Sequence, residues 1–243
     1  VPPRLHRAGR TPYLSALNDT WEGSRYLGCR VGFVSERQIT QGKLNKFKLL
    51  IIPATKYIRP EVARRVMNWV ETGGTARVVP ESFMFDQYAR PNDLTDGFGV
   101  KVTDVGLPEV LGRGEMEQNY DQSFSQSVVY GDVSQQMTAE NADIFAGRGD
   151  VQLNAEGLLQ KLEVPGGKVL AKLEDGGPGL VLSSHGSGTI YYLAAPLAAS
   201  DYHLLLEPLA EKLNLQRPLV GVAPDGNLVT GAVVRAVERE RDW

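Results

Sequence analysis

Apolar positions in the first third of the chain alternate between helical and strand spacing. From Tyr13 to Leu27 they recur every three or four residues, and Gly28 follows, which predicts a helix with a glycine stop. The segment Cys29–Val34 then reads as a short strand. A second strand is predicted at Lys48–Ile52, where a continuous apolar run ends at Pro53, as is typical of strands covered on both faces.

A second helix is predicted from sequence signals at both of its ends. Pro60 suits the first helical position, and the apolar residues that follow keep to one face. Gly73-Gly74 ends this helix, and Thr75–Val79 is predicted as the next strand. The order helix, strand, loop, strand, helix, strand indicates an α/β domain with a parallel sheet, in which ligands bind beyond the carboxyl ends of the strands.

The pattern changes after a fourth strand candidate at Gly99–Val105. From 106 to 150 the chain is polar and irregular with scattered aromatic residues, and we expect short pieces of structure there and an interface. The last third predicts an antiparallel meander followed by an amphipathic helix over Ala198–Leu213. The meander strands are Lys168–Leu173, Gly179–Ser183 and Thr189–Leu193.

These patterns divide the chain into three parts. Residues 1–12, with three arginines and three prolines, are predicted to be an extended arm or linker. Residues 13–214 form the α/β domain, with 106–150 as an irregular insertion. Residues 215–243 begin a following β-domain or a C-terminal extension, since two short strand candidates surround Asp225-Gly226.

Composition excludes several classes of protein. Of the 243 residues 42% are apolar and 23% are charged, so the chain is neither disordered nor short of core residues. No apolar run is long enough for a membrane span, and a net charge of −3 argues against a nucleic-acid partner. The start at Val1, without a leader-like segment, is compatible with a fragment or a mature form, and with a cytoplasmic or secreted location.

Candidate chemistry is sparse. The lone Cys29 excludes an internal disulfide and a cysteine-based zinc site, and the three histidines lack metal-ligand spacing, so we expect no metal. Phosphate-binding loops are missing after the strands, so we expect no cofactor. Three residues are catalytic candidates. Glu36 and Glu81 both follow strands and could supply the carboxylate pair of a glycosidase, and His203 opens the last helix. Structural roles are the simpler interpretation of all three.

The order of elements resembles the class I glutamine amidotransferase-like module of multidomain glycoside hydrolases. In particular, it is similar to the trimerisation domain of family 42 β-galactosidases. The resemblance is carried by Phe47–Ala54, by the helix that closes on Trp69–Thr75, by Asp96–Val102, and by the hairpin Asp175–Tyr192. It implies a flavodoxin-like three-layer sandwich whose central sheet is mostly parallel, with antiparallel strands in the C-terminal third. The terminal stretch looks like the start of the β-sandwich that follows this module.

The sequence departs from the active members of that fold. After the strand that ends at Val79, where an amidotransferase carries its cysteine, this chain has Glu81-Ser82-Phe83. Ala194-Ala-Pro196 stands where the family's histidine would follow the last core strand. Amide hydrolysis by that mechanism is therefore excluded. The family's first strand, which comes before the helix at Tyr13, is either upstream of residue 1 or replaced by the arm.

The resemblance implies a non-catalytic module of a larger β-galactosidase-like enzyme. Its expected role is homo-oligomer assembly with other domains or subunits, and shaping of the carbohydrate-binding cleft, where sugar could touch its edge. Two alternatives remain at this point. The chain could hydrolyse a glycoside itself through Glu36 and Glu81, or it could bind carbohydrate through Trp21, Trp69 or the loop tyrosines. Both tryptophans lie on apolar helix faces, which favours burial over sugar binding.

Overall fold

The computed structural model describes residues 12–92, 97–106, 134–139, 143–156, 159–217 and 220–224, together with 226 and 229. Within these ranges the chain is a mixed α/β structure, as the sequence predicts. Four helices and nine strands are described below. The predicted arm at 1–12 lies outside the described residues except for its last residue, and most of 106–150 and of 215–243 also lies outside them.

Four α-helices form where local sequence favours them: α1 (Pro12–Ser24), α2 (Glu36–Thr40), α3 (Pro60–Glu71) and α4 (Tyr202–Lys212). A 3-10 turn continues α1 to Leu27, and Gly28 then takes a left-handed conformation with φ of 69°, which confirms the predicted stop. Pro60 occupies the start of α3, as predicted. The short α2 was missed by sequence reasoning. A capping box holds it, in which Ser35 and Gln38 bond each other's backbone N–H groups.

The nine strands are β1 (Leu49–Ile52), β2 (Thr75–Val78), β3 (Lys101–Gly106), β4 (Ser134–Ala139), β5 (Val151–Glu156), β6 (Leu159–Glu163), β7 (Gly167–Leu173), β8 (Pro178–His185) and β9 (Gly188–Leu193). Seven of them form one sheet in the order β1-β2-β9-β8-β7-β4-β5. Strands β3 and β6 pair antiparallel as a separate ribbon.

Parallel pairing is confined to one end of the large sheet. Thr75 of β2 pairs with Leu49 of β1 on one side and with Thr189 of β9 on the other, both parallel. From β9 onward every pairing is antiparallel. The expectation of a mostly parallel central sheet is therefore wrong for the sheet as a whole, because only two of its six strand pairings are parallel. The meander itself is confirmed.

Two apolar cores lie on opposite faces of this sheet, because neighbouring strand residues point to opposite sides. On one face, α2 and α3 pack over residues such as Ile190 and Tyr192. On the other face, α4 packs over residues such as Tyr191 and Leu193. Helix α1 contacts α4 on that second side. Strand β2 is buried on both faces, whereas β1, whose apolar run predicted coverage on both faces, is only partly buried at Leu49, Leu50 and Ile51.

The predicted strand Cys29–Val34 is wrong. This segment follows the 3-10 turn and leads into α2 without pairing in either sheet, and Val31 and Phe33 are exposed. A strand needs a hydrogen-bonded neighbour, and no described strand lies beside this segment. Strand β4 is a short piece of structure of the kind expected within 106–150. Strands β5 and β6 were missed.

Candidate functional site

A cavity of about 980 Å³ lies beside β1. Its walls are α1, the segment 29–34, strand β1 and the loop that follows β1, with contributions from α2 and α3. Apolar side chains dominate these walls. They include Leu17 and Trp21 of α1, Phe33 and Val34 of the extended segment, and Leu50 and Ile51 of β1.

Three ion pairs lie beyond the carboxyl end of β1, and Glu36, Lys56 and Glu81 among their members line the cavity. The Lys56 ammonium and the Glu81 carboxylate are 2.7 Å apart, and Glu81 is buried. The guanidinium of Arg59 donates to Glu36 at 2.6 Å and to Glu61 at 2.9 Å. The hydrogen bond to Glu36 raises the pKa of Arg59. Sequence reasoning identified both glutamates but missed the cations, although Lys56 and Arg59 follow a strand end in the same way.

The two candidate carboxylates therefore line one cavity, but each has its own cation. A glycosidase needs two carboxyl groups that both face the scissile bond, whereas each of these carboxylates is engaged by a cation instead. Burial, and secondly the charge of Glu81, raise the pKa of the Tyr192 hydroxyl, which donates to the Gln160 side chain at 2.6 Å. Glu81 is buried at the edge of the core, and its carboxylate accepts a hydrogen bond from Lys56.

The backbone at Glu81 is unusual. Its φ is 64°, a left-handed conformation that few residues other than glycine adopt, and Phe83 two residues on has a φ of 61°. Such a conformation directly after a parallel strand makes a sharp turn, here held by the Phe83 N–H donating to the Thr55 carbonyl. This turn holds Glu81 in the segment where the resemblance to amidotransferases places the cysteine of the active members.

His203 is not brought to this site. It lies in the first turn of α4 and does not line the cavity. Its Nδ1 atom is buried and has no hydrogen-bond partner in the described part of the chain. Cys29 does line the cavity and is half-buried, with its thiol donating to the Leu27 carbonyl at 3.8 Å. Burial raises the pKa of this thiol, an effect that Arg217 partly opposes, so the reactive thiolate is disfavoured at neutral pH.

The two tryptophans have different surroundings. Trp69 is buried in the core with α3, as its position on the apolar face predicted. Trp21 is half-buried, lines the cavity and lies 5.3 Å from the ring of Phe33. Among the described residues, no helix has the length and hydropathy for a membrane span, and no cluster of three or more potential ligands could hold a metal ion.

Together, the parallel strands, the tight turn after β2 and the glutamate at that turn define an amidotransferase-like α/β domain without the amidotransferase thiol. The chain belongs to the β-galactosidase trimerisation domain family, whose model matches residues 7–216. The resemblance read from the sequence is confirmed by this match.

Solved β-galactosidases share the fold. The enzyme from Bacillus circulans sp. alkalophilus is 16% identical, with a TM-score of 0.67 over 85% of this chain and 28% of its own. The one from Rahnella sp. R3 is 16% identical, with a TM-score of 0.68 over 86% and 28%. The one from Marinomonas ef1 is 18% identical, with a TM-score of 0.60 over 87% and 26%. This chain thus spans about a quarter of their length. No curated protein sequence matches it.

Proposed function

We propose that this chain is a non-catalytic assembly module of a longer, β-galactosidase-like glycoside hydrolase. The observation that carries the proposal is the match to the trimerisation domain family over most of the chain. The site chemistry supports it. The thiol of the related amidotransferases is replaced by an ion-paired glutamate, and the three catalytic candidates do not form an acid–base pair in the described structure.

The surface that we propose for assembly and for shaping the carbohydrate cleft is an aromatic patch at the carboxyl end of the parallel strands. Tyr57 stacks on Phe85 with ring centroids 5.6 Å apart, and the Lys56 ammonium lies 5.9 Å from the Phe85 ring. Tyr88 is 70% exposed and lies under the Arg90 guanidinium. Tyrosine and arginine are the residue types that dominate binding energy at protein interfaces, and aromatic faces also suit sugar rings.

The proposal includes the domain limits and a layered, flavodoxin-like architecture for the module. Residues 13–214 would form the module, 1–12 would link it to a preceding domain, and 215–243 would lead into a following β-domain. The insertion at 106–150 remains a second interface candidate, most of it outside the described residues.

The test is the mass of the longer protein in solution, measured by size-exclusion chromatography with light scattering. We expect Tyr57→Ala combined with Tyr88→Ala to shift the oligomer toward the protomer mass and to raise KM for an aryl β-galactoside. Val222→Ala is the matched control, because Val222 is also exposed and lies outside the patch. If deletion of residues 7–216 leaves the oligomer unchanged, the assembly role is wrong. If that deletion disrupts the oligomer but the double variant keeps the oligomer mass of the parent, assembly uses another surface of the module.

A further inference from the structure

One outer face of the domain carries an excess of positive charge, although the chain as a whole is acidic. Residues 36–72 contain eight lysines and arginines but only three glutamates, whereas the whole chain has a net charge of −3. Two of those glutamates, Glu36 and Glu61, both pair with the single cation Arg59. The rest of this segment is therefore strongly positive.

Five exposed cations form this basic face, and none of them forms an ion pair with another described residue. They are Arg37 of α2, Lys43 and Lys46 of the 3-10 turn before β1, and Arg64 and Arg65 of α3. The three elements share one apolar core, to which they contribute Ile39, Leu44 and Val66. Their outward side chains therefore lie on one surface of the helical layer.

The basic face fits an acidic protein segment. Cations that lie on one surface raise its electrostatic potential, which attracts an oppositely charged partner and repels a like one. Phe47, which follows Lys46 in the chain, is 44% exposed. Aromatic side chains are enriched at protein interfaces, so an exposed ring beside the cations favours a partner that is both acidic and aromatic.

The chain itself contains a segment of this composition. Residues 107–133, within the insertion that the sequence predicts as an interface, contain five acidic residues and a single basic residue, Arg113. They also contain three aromatic residues, Tyr120, Phe124 and Tyr130. This segment lies outside the described residues, and its composition makes it complementary to the basic face.

The described residues that flank this segment lie at the opposite end of the parallel strands from the 3-10 turn. Gly106 pairs with Leu159 and Ser134 pairs with Glu156, so both flanking residues lie beside the connection between β5 and β6. The Glu156 N–H donates to the Pro196 carbonyl, which places this connection beyond the carboxyl end of β9. The 3-10 turn of the basic face instead precedes β1, at the amino end of an outer strand.

We propose that the acidic segment 107–133 of one copy docks on the basic face of a neighbouring copy. This inference rests on the assembly role proposed above, and it names two surfaces that meet. In a closed ring of three copies, the assembly after which the family is named, every contact joins two different surfaces of the chain. Two surfaces of opposite charge meet this requirement, because two basic faces brought together would repel each other.

The experiment reverses the charge of each surface in the longer protein and measures the oligomer mass by light scattering over a range of concentrations. One variant carries Lys43→Glu with Arg65→Glu, and the other carries Glu115→Lys with Glu117→Lys. We expect each to raise the concentration of half-dissociation at least about tenfold at low salt, where exposed charges are least screened. The variant with all four changes should recover most of that loss, because opposite charges face each other again.

The matched control is Arg25→Glu with Lys168→Glu, which makes the same change in net charge at exposed sites outside the basic face. It should assemble like the parent protein. Urea unfolding identifies any basic-face variant that loses its fold, and Arg37→Glu with Lys46→Glu then takes its place.

Three results would overturn the proposal. One is a basic-face variant that keeps the oligomer mass of the parent, including one that loses affinity for a DNA duplex, which would make the basic face a nucleic-acid site. Another is a loss of assembly that the fourfold variant does not restore. The third is an effect on protomer unfolding that does not depend on concentration, which would place the acidic segment on its own chain. Deletion of residues 7–216 tests the assembly role separately, because it removes every surface of the module.

Discussion

At the residue scale, the least expected feature is a fully buried arginine. Arg77 of β2 donates to the Thr20 hydroxyl at 2.8 Å, and its guanidinium lies 4.5 Å from the ring centroid of Tyr202. Among the described residues, its Nε and Nη1 atoms have no hydrogen-bond partner. Burial lowers the pKa of Arg77, and Tyr202 partly opposes that shift. A buried cation with two unpaired donors is a net cost unless its ring contact offsets it.

We therefore expect Arg77→Met to leave the free energy of unfolding unchanged or to raise it by about 1 kcal/mol. Two unsatisfied donors cost about 1–3 kcal/mol each, against about 1 kcal/mol for the Thr20 bond and about 2 kcal/mol for the ring contact. Arg77→Ala should instead lose about 2–3 kcal/mol, because it leaves a cavity. Urea unfolding of both variants measures the difference. A loss of more than about 2 kcal/mol in the methionine variant would show that the buried charge stabilises the fold.

A second residue-scale prediction concerns the pH dependence of Cys29. Because burial raises the pKa of its thiol, the pH profile of alkylation by iodoacetamide should have its midpoint above that of the same thiol in the unfolded chain. Arg217→Gln should move the midpoint higher, whereas Arg217→Lys, which keeps the charge, should not.

The raised pKa of Cys29 also makes the stability of the folded chain depend on pH. The thiol of the unfolded chain loses its proton first as the pH rises, so the stabilisation from the neutral buried thiol is complete below pH ~8.5. It is lost as the pH passes through the folded pKa. Between pH 7 and pH 10, the thermal unfolding temperature should therefore fall less steeply for Cys29→Ser than for the parent protein. Parallel curves for the two proteins would contradict the burial of Cys29.

At the element scale, the junction between α3 and β9 sets the spacing of the parallel section. A Cβ atom on Gly188 would lie 1.8 Å from the Val70 carbonyl oxygen and 2.5 Å from that of Gly74. The backbone of β9 thus touches the end of α3 directly. Only glycine permits this approach, since the obstructing atoms belong to the backbone and cannot rotate away.

Gly188→Ala should accordingly destabilise the chain by about 3 kcal/mol or more, because the helix end and the strand must separate. Gly166→Ala is the matched control, since a Cβ there meets nothing within 4 Å. Chemical unfolding measures both. Equal midpoints for the two variants would mean that the junction yields easily and does not fix the spacing.

The elements that sequence reasoning predicted are those framed by local residues. Pro60 and the Gly73-Gly74 pair bounded α3, and Gly28 stopped the first helix, because these residues act on the backbone next to them. The strand predicted at Cys29–Val34 is wrong because an apolar run indicates a tendency to form a strand, but not whether a neighbouring strand is present to pair with it. Strand β4 was missed because its sequence, Ser-Gln-Gln-Met-Thr-Ala, is polar outside the buried Met137 and Ala139.

At the scale of the whole molecule, the seven-stranded sheet could not be predicted from the order of elements. The first strands predicted a parallel sheet and the last third predicted a meander, and both are present. Local pattern does not reveal that β9 joins them into one sheet, because that pairing depends on residues distant in sequence. The candidate site was predicted in part. The glutamates at the strand ends were found, but the cations that pair with them and the cavity were not.

The chain by itself is expected to show no hydrolysis of 4-nitrophenyl β-galactoside, because Glu36 and Glu81 are held as ion-paired carboxylates. Absorbance at the nitrophenolate band measures this, with the longer protein as the positive control. One result would contradict the assignment and make the chain an enzyme: turnover that is lost in Glu81→Gln but kept in Glu22→Gln, a control at an exposed site on α1.

The parallel pairing of β2 with β9 also has a consequence for the order of folding. Thr75 pairs with Thr189, whereas the meander strands pair with near neighbours in sequence. During synthesis, β1, α3 and β2 leave the ribosome long before the strand on which β2 is aligned. Until β9 is synthesised, one edge of β2 lacks its pairing partner, whereas the meander strands can pair quickly once they are made. Ribosome-bound chains that stop before Gly188 should therefore be the ones that depend on chaperones.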